Sequence, residues 1–369
     1  MLQSVRIALL GLAASTVTFG AADAGRSAAQ RIEVAFVLDT TGSMADLIDG
    51  AKRKIWSIAN SIIDINPNAD IRMALIGYRD QGDEYVVRTY DMSGDLQGLY
   101  GHLIRFVADG GGDTPESVNE ALDTAVHDLS WSTRDDVRRV IFLVGDAPPH
   151  MDYANGPNYR RVIRAARDAG IIVNTVQAGQ DPETREYWQD MARLGEGMYF
   201  AIPQDGGQIE VMNSPYDQRI IELQGYIDKT AVPYGTPAQQ DELRAKLETK
   251  AAAPDAVKVD NSEFYAKKSA SKEIVTGGGD LLDDVRNSVR RIEEIAQDEL
   301  PADLQGKTGE ELRTAIANRT AEREKLEAEM AGLIKQRDDY VAEEIKRKKP
   351  GETQDSFDKQ VTSAISAQF

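Results

Sequence analysis

The sequence predicts an α/β fold: a doubly wound, mostly parallel six-stranded sheet with one antiparallel edge strand, followed by an α-helical C-terminal region. Two apolar runs, Val34–Leu38 and Val140–Val144, are typical of strands buried on both faces. Between such runs lie segments whose apolar residues recur at three- and four-residue steps, as on one face of a helix. This alternation predicts a sheet covered by helices on both faces. After Thr236, alanine, lysine and glutamate dominate, which favours helices alone.

The strands are expected at apolar runs that end in polar or glycine-containing turns. The connection Arg79–Asp83 is short and contains glycine, which predicts a hairpin and makes the strand after it the antiparallel edge. In chain order the predicted strands are Ile32–Leu38, Ile71–Tyr78, Tyr85–Tyr90, Val137–Val144, Ile171–Val176 and Met198–Ile202.

The helices of this first unit are predicted from their apolar stripes and from the residues that begin and end them. Thr114-Pro115-Glu116 places proline in a first turn, where its missing N–H is harmless, and Gly170 ends another helix. The predicted helices are one following Asp39 and ending at Asn66-Pro67-Asn68, then Leu96–Val107, Thr114–Leu129, one ending at Ala169, Pro182–Leu194 and Ile209–Ile227.

The region after the predicted sheet divides into three parts. We expect a linker with a partial helix over residues 231–279, a helical hairpin over 280–348 and a C-terminal tail over 349–369. The hairpin's apolar residues form a broken stripe, from Leu312 to Ile345, that must be buried somewhere. It can pack on the preceding domain or on a partner helix, and the sequence leaves both open.

The N-terminus is typical of a secretory signal peptide, residues 1–24. Arg6 precedes the apolar run Ile7–Ala14, and Ala22-Asp23-Ala24 provides an A-x-A cleavage site. We therefore expect a periplasmic or secreted protein that begins with a short tether, residues 25–31. An uncleaved N-terminal anchor is the alternative. No other stretch is long and apolar enough to cross a bilayer, so no stable membrane span is expected after cleavage.

The composition excludes several classes of function. The formal net charge of −18 repels phosphate backbones, so we expect no nucleic-acid partner. The absence of cysteine among the 369 residues excludes disulfides, zinc–thiolate sites and thiol catalysis. The sequence contains neither H-E-x-x-H nor G-x-S-x-G, and no general base is evident, so we expect no enzyme. A hydrolase in which a metal ion activates water is a weaker alternative.

A cluster of hard oxygen ligands follows the first strand. Asp39, Thr41 and Ser43 provide a carboxylate and two hydroxyls, and Gly42 lets the turn between the hydroxyls fold tightly. Such oxygen donors suit Mg²⁺. The same residues would also suit a strand end that caps the next helix.

Two distant segments favour the metal site. Thr114 lies in a glycine-rich loop, GGGDTPE, and Asp146 follows the second buried run. Since the carboxyl ends of parallel strands meet at one edge of a sheet, Asp39, Asp146 and the loop before Thr114 can meet around one ion.

These three motifs resemble the metal-ion-dependent adhesion site of von Willebrand factor A domains, over residues 32–230. Thr41 departs from the usual Asp-x-Ser-x-Ser but keeps the hydroxyl. GGGDTPE and GDAPPH are most similar to the subgroup found in atypical alpha-kinase proteins, although no kinase-type segment is present. The resemblance implies a Mg²⁺ ion, with Mn²⁺ or Ca²⁺ as alternatives, held by Asp39, Thr41, Ser43, Thr114 and Asp146. It also implies that the ion binds an exposed Asp or Glu of a partner protein.

Two loops at the same edge are predicted to form a rim that selects the partner. Arg79, Asp80 and Asp83 lie on the hairpin turn, and His150, Asp152 and Tyr153 lie in a long loop after Asp146. Alternatively, Arg79 pairs with Asp80 or Asp83, and His150 only holds its loop.

Three functions remain open on the sequence. The first is a secreted or periplasmic protein-binding module that acts through its metal ion. The second is a structural or assembly protein that binds through its helical tail while the metal only stabilises the head. The third is the metal-dependent hydrolase.

Overall fold

The computed structural model describes most of the chain outside its first thirty residues. The described residues are 31–67, 69–112, 114–205, 213–270, 278–347 and 357–368. The predicted signal peptide, nearly all of the tether, Asn68, Asp113 of the glycine-rich loop, Ile209 and Met212 of the last predicted helix and Gly277 of the linker lie outside these ranges.

A six-stranded sheet forms the centre of the described structure, as predicted. Its strands are β1 (Arg31–Asp39), β2 (Asp70–Tyr78), β3 (Val87–Ser93), β4 (Val137–Gly145), β5 (Ile171–Ala178) and β6 (Glu196–Ile202). Their order is β3-β2-β1-β4-β5-β6, and every neighbouring pair is parallel except β2 with the edge strand β3. The predicted fold class is therefore confirmed.

Helices cover both faces of the sheet because alternate residues of each strand face opposite sides. In β1, Val34, Phe36 and Leu38 belong to one buried core, whereas Ala35 and Val37 belong to the other. The helices of this domain are α1 (Ala45–Ile65), α2 (Leu96–Leu103), α3 (Val118–His127), α4 (Tyr159–Asp168), α5 (Pro182–Leu194) and α6 (Asp217–Lys229).

The third helix begins four residues later than predicted. Its first residue is Val118, whereas the proline signal had indicated a start at Thr114. The backbone of Glu116 is used elsewhere: its N–H donates to Pro148 O at 3.0 Å, and His150 N–H donates to Glu116 O at 3.0 Å. This short parallel bridge ties the glycine-rich loop to the loop after β4.

The C-terminal region contains more helix than the sequence predicted. In place of a linker with a partial helix, residues 231–279 contain two helices, α7 (Pro237–Ala252) and α8 (Asp255–Ala270). Where the helical hairpin was predicted, over residues 280–348, the chain contains the six-residue α9 (Leu281–Arg286) and the 39-residue α10 (Gly309–Arg347). The predicted tail contains α11 (Phe357–Gln368). We call α7 to α11 the helical cap.

The helical cap packs on the sheet domain, which answers the question that the sequence left open. Trp56 of α1 is buried against Phe264 and Tyr265 of α8, and Val361 and Ile365 of α11 are fully buried in the same core. Part of the apolar stripe of α10 is buried within the chain too, with Met330 and Ile334 against Ile220 and Leu223 of α6, whereas Ile345 at its end is 59% exposed. In the described part of the chain, no helix combines the length and the apolar character that crossing a membrane requires.

Candidate metal centre

Two aspartates lie side by side at the carboxyl edge of the sheet. Asp39 ends β1 and Asp146 follows β4, and these strands are parallel neighbours with Leu38 opposite Val144. Asp39 is fully buried. Burial, and next the negative charge of Asp146, raise the pKa of Asp39 to about 7. The strand register therefore places two mutually repelling carboxylates at one point.

Two of the three hydroxyl groups predicted as ligands, those of Thr41 and Ser43, lie close to Asp39. Thr41 donates to Asp39 Oδ1 from its N–H at 2.8 Å and from Oγ1 at 2.6 Å, and Thr41 Oγ1 lies 3.3 Å from Ser43 Oγ. By contrast, Asp39 Oδ2 is buried without a hydrogen-bond partner. A buried carboxylate oxygen without a hydrogen-bond partner lowers the stability of the fold. Its presence therefore indicates that a ligand which accepts an electron pair binds at this oxygen.

The glycine-rich loop packs against this turn. Gly42 N–H donates to Gly110 O at 3.2 Å, and Asp109 N–H donates to Thr40 O at 3.1 Å. At Gly111, whose φ is +81°, a Cβ atom would lie 3.2 Å from Thr41 Cβ. The loop approaches this closely because it lacks side chains there, and it continues directly into Thr114, which is exposed.

The donor set fits a hard divalent cation. Within the described ranges, no group of three or more histidine or acidic side chains is arranged to hold a metal ion. A cation at this edge would therefore depend on the two aspartates together with the hydroxyls of Thr41, Ser43 and Thr114. Mg²⁺ prefers a ligand set of this kind, with few carboxylates and with neutral oxygen atoms as the remaining ligands.

Half of the predicted rim is buried. Asp80 is 6% exposed; its Oδ1 accepts from Ser117 Oγ at 3.0 Å and from Tyr153 Oη at 2.7 Å. His150, also 6% exposed, has Nε2 at 3.4 Å from Asp80 Oδ2 and Nδ1 at 2.8 Å from Asp152 Oδ1. Its ring stacks on Tyr153 at 4.1 Å. Asp80 and His150 therefore hold the hairpin turn and the long loop together.

Arg79 is the other buried member of the rim, at 3% exposure. Its Nε donates to Thr40 O at 3.2 Å and its Nη2 to Val107 O at 2.7 Å. Its acidic neighbour is Glu84, at 3.7 Å, so the alternative pairing with Asp80 or Asp83 does not occur. The guanidinium group thus ties the hairpin to the loops on either side of the candidate site.

The other rim residues are more accessible. Asp83 Oδ2 accepts from the N–H groups of Asp80 and Gly111, each at 3.1 Å, and so attaches the hairpin turn to the glycine-rich loop. Asp152 keeps 79% of its side chain exposed, and Tyr153 is partly exposed. A partner that approaches the edge would meet these three side chains before it met Arg79, Asp80 or His150.

Sequence reasoning missed two residues of the site. Glu116 is buried, and burial, followed by the charges of Asp39 and Asp80, raises its pKa to about 9. Glu116 is the last residue of the GGGDTPE loop, and this position could have marked it as part of the site. Gln204, after β6, donates from Nε2 to Asp146 Oδ2 at 2.6 Å. Nothing in the local sequence around Gln204 marks it as part of the site.

The chain is similar to known proteins over part of its length. Residues 33–209 match the family model of the von Willebrand factor A domain. A putative ariadne-like RING finger protein, R811 of Acanthamoeba polyphaga mimivirus, is 28% identical over 146 residues, which is 40% of this chain. The match spans only 14% of that relative. Among solved structures, the SpRpn10 VWA domain matches 47% of this chain and 89% of its own, with 12% identity and a TM-score of 0.36.

The family match covers β1 to β6 and includes every predicted metal ligand. Von Willebrand factor A domains mediate protein interaction, and the helical cap lies outside the matched residues. By its sheet order and its family match, the chain is a von Willebrand factor A domain protein.

Proposed function

We propose that this domain binds a partner protein through a divalent cation, in first place Mg²⁺, held by Asp39, Thr41, Ser43, Thr114 and Asp146. The bound ion supplies a coordination position for an exposed Asp or Glu of the partner. Mn²⁺ and Ca²⁺ are the alternative ions.

The observation that carries the proposal is the state of Asp39. Its carboxylate is fully buried, one oxygen has no hydrogen-bond partner, and Asp146 repels it. A buried anion of this kind normally shifts its pKa, finds a partner or coordinates a metal. A cation between Asp39 and Asp146 would supply the missing partner and remove the repulsion.

The charge of the chain fits a binding mode that depends on an ion. With a formal net charge of −18, the protein repels an acidic partner in the absence of a cation. Two aspartates and neutral hydroxyls leave the ion electron-poor, so a partner carboxylate gains a strong ionic contact at the edge of the sheet. The bound ion would then explain both why partner binding depends on metal and why the partner's binding residue is acidic.

Selection of the partner is assigned to the accessible rim residues Asp83, Asp152 and Tyr153. Arg79, Asp80 and His150 act indirectly, because they are buried and fix the two loops. Binding through the helical cap, the second function that the sequence left open, has less support, since Met330 and Ile334 in the stripe of α10 pack within the chain.

The proposal includes export and excludes catalysis. Export to the periplasm or outside the cell rests on residues 1–24, and N-terminal sequencing of the protein purified from its host checks it. A chain that begins at Met1 would contradict cleavage. Turnover of generic phosphoester and peptide substrates in the presence of Mn²⁺ would contradict a pure binding role and support the hydrolase.

The metal site is tested by thermal unfolding of the chain in EDTA and in Mg²⁺, Mn²⁺ or Ca²⁺. A cation at about 100 times its Kd should stabilise the wild type by about 2.7 kcal/mol. Asp39→Asn should lose this response, and the control Asp128→Asn, at an exposed aspartate beyond α3, should retain it. Equal behaviour of Asp39→Asn and wild type in all ions would sink the proposal. Capture of partners in Mg²⁺ with elution by EDTA then tests the binding role.

A further inference from the structure

Gln204 connects a third segment of the chain to the candidate metal centre. It lies two residues after Ile202, the last residue of β6. Its Nε2 donates to Asp146 Oδ2 at 2.6 Å and lies 3.3 Å from Ser43 O. One amide group therefore bridges the loop after β4, which carries Asp146, and the turn after β1, which carries Thr41 and Ser43.

The backbone at Gly179 makes room for this amide. Gly179, directly after β5, has a φ of +75° and donates its N–H to Ile202 O at 3.0 Å. A Cβ atom built at Gly179 would lie 2.3 Å from Gln204 Oε1, far inside van der Waals contact. The side chain of Gln204 thus fits against the domain in this pose only because residue 179 is a glycine.

We propose that Gln204 is a positioning residue for the metal centre: it orients the carboxylate of Asp146, and the turn that carries Ser43, for cation binding. The inference rests on the proposed function, because it assumes that a cation binds at Asp146. Gln204 itself is not assigned as a ligand. A carboxylate has about four acceptor sites, so Asp146 can accept the amide and still offer an oxygen to the ion.

The physical reason is the rotational freedom of Asp146. Thr184 Oγ1 lies 3.1 Å from the backbone oxygen of Asp146, and this contact does not fix the carboxylate. The hydrogen bond from Gln204 does so before any cation arrives. Groups that hydrogen-bond to metal ligands typically change metal affinity by 10- to 100-fold when they are removed. Because Gln204 is exposed, we expect the lower end of that range.

The first experiment titrates Mg²⁺ into the full chain and records the concentration at the midpoint of the rise in melting temperature. Gln204→Leu should shift this midpoint about tenfold upward. Its melting temperature in EDTA should stay close to wild type, because surface substitutions usually change stability by no more than about 0.5 kcal/mol. Gln218→Leu is the matched control: Gln218 is exposed and also donates to a carboxylate, Glu222, but on the surface of α6.

The second experiment displaces the amide without changing it. Gly179→Ala should raise the Mg²⁺ midpoint in the wild-type background and should have no further effect on it in Gln204→Leu. Gly170→Ala is the control for backbone strain, since Gly170 has a similar φ of +69° and lies near Arg139. It should lower the melting temperature and leave the midpoint unchanged.

The outcomes separate the inference from the proposal on which it rests. A wild type that responds to Mg²⁺, with Gln204→Leu responding at the same concentration, overturns the role of Gln204 and leaves the metal site intact. A wild type that shows no response to any cation overturns both. A midpoint shift in Gln204→Leu, absent in Gln218→Leu, supports the inference.

Discussion

The edge of the sheet and the helical cap differ in whether their buried charged groups have partners of opposite charge. At the edge, Asp39 is buried next to Asp146 with one oxygen unpaired. In the cap, Arg323 is buried between acidic groups: its Nη1 lies 2.6 Å from Asp280 Oδ2 and 3.1 Å from Asp283 Oδ1. The two regions belong to one acidic chain, yet the cap neutralises part of its buried charge internally and the edge does not.

The difference separates a structural region from a binding region. A buried charge with a partner holds helices in register, whereas one that lacks a partner destabilises the fold unless a ligand supplies the opposite charge. The cap should therefore dominate stability without any cation, and the edge should dominate the response to cations. Each prediction below tests one side of this contrast.

Trp56→Ala should have the largest effect. Trp56 is 1% exposed, and its ring centroid lies 5.3 Å from that of Phe264 and 6.1 Å from that of Tyr265 in the cap. Truncation of such a residue costs about 3 to 5 kcal/mol. Urea unfolding in EDTA measures the loss, and the Mg²⁺ midpoint of the folded fraction should not change.

The control for Trp56 is Trp131→Ala, at a partly exposed tryptophan that touches the other face of the sheet domain. It should cost clearly less. A loss below about 1 kcal/mol for Trp56→Ala would mean that the cap does not pack on α1. The same packing means that deleting residues 236–369 would expose Trp56, so point substitutions isolate the metal site more cleanly than truncation does.

Asp39→Asn should stabilise the protein when no cation is present. The substitution removes a fully buried charge whose pKa is raised to about 7, first by burial and then by Asp146. A rise of about 3 pKa units at about 1.4 kcal/mol per unit gives a gain in unfolding free energy of about 4 kcal/mol in EDTA at mildly alkaline pH. Chemical unfolding of both proteins in EDTA measures it. A destabilised Asp39→Asn would mean that the fold itself satisfies this carboxylate, and the contrast between edge and cap would fail.

Asp283→Asn should change how stability depends on pH. Burial, and next the charge of Asp280, raise the pKa of Asp283 to about 6. A carboxyl group whose pKa is higher in the folded state stabilises the fold below its unfolded pKa, and that contribution is lost as pH rises through about 6. Between about pH 4 and pH 7, the unfolding free energy of Asp283→Asn should therefore rise by about 2 kcal/mol relative to that of the wild type. Urea unfolding across this range measures the difference.

Asp181→Asn provides a control of opposite sign. Asp181 caps α5, and hydrogen bonds from the backbone and side chain of Thr184 lower its pKa. Its contribution is present above the unfolded pKa and is lost as pH falls. Asp181→Asn should therefore lose stability relative to the wild type as pH rises through the acidic range. If the unfolding free energies of both variants changed with pH in the same direction relative to the wild type, the assignment of Asp283 to a crowded acidic site would be contradicted.

The sheet and the metal ligands could be predicted because their signals are local. The runs Val34–Leu38 in β1 and Val140–Val144 in β4 are apolar without interruption; Asp39 follows the first directly, and Asp146 follows the second after Gly145. Parallel pairing then puts Asp39 and Asp146 at one edge whatever the exact register. The turn residues Thr41 and Ser43 lie within four positions of Asp39, so their nearness needed no long-range information.

The rim and the cap could not be predicted because their partners are distant in sequence. Arg79 is buried, and its guanidinium group donates hydrogen bonds to the carbonyl oxygens of Thr40 and Val107, which lie 39 and 28 residues away in the sequence. No local sequence pattern distinguishes it from an exposed arginine. In α7, apolar residues are sparse and give almost no stripe, so the sequence predicted only a linker with a partial helix there. That helix is stabilised instead by its capping box at Thr236 and by contacts with α2.

The smallest predicted effect tests where α11 lies. Ser61 Oγ donates to Ser57 O at 3.0 Å and lies 3.1 Å from Thr362 Oγ1, which leaves Thr362 as the donor between the two helices. A double-mutant cycle of Ser61→Ala and Thr362→Val should give a coupling energy of about 0.5 kcal/mol by urea unfolding. The control pairs Ser61→Ala with Thr314→Val, whose hydroxyl bonds within α10 to Glu310 O, and should give no coupling. If the first pair were also uncoupled, α11 would not be docked on α1, and the buried Val361 and Ile365 would need another explanation.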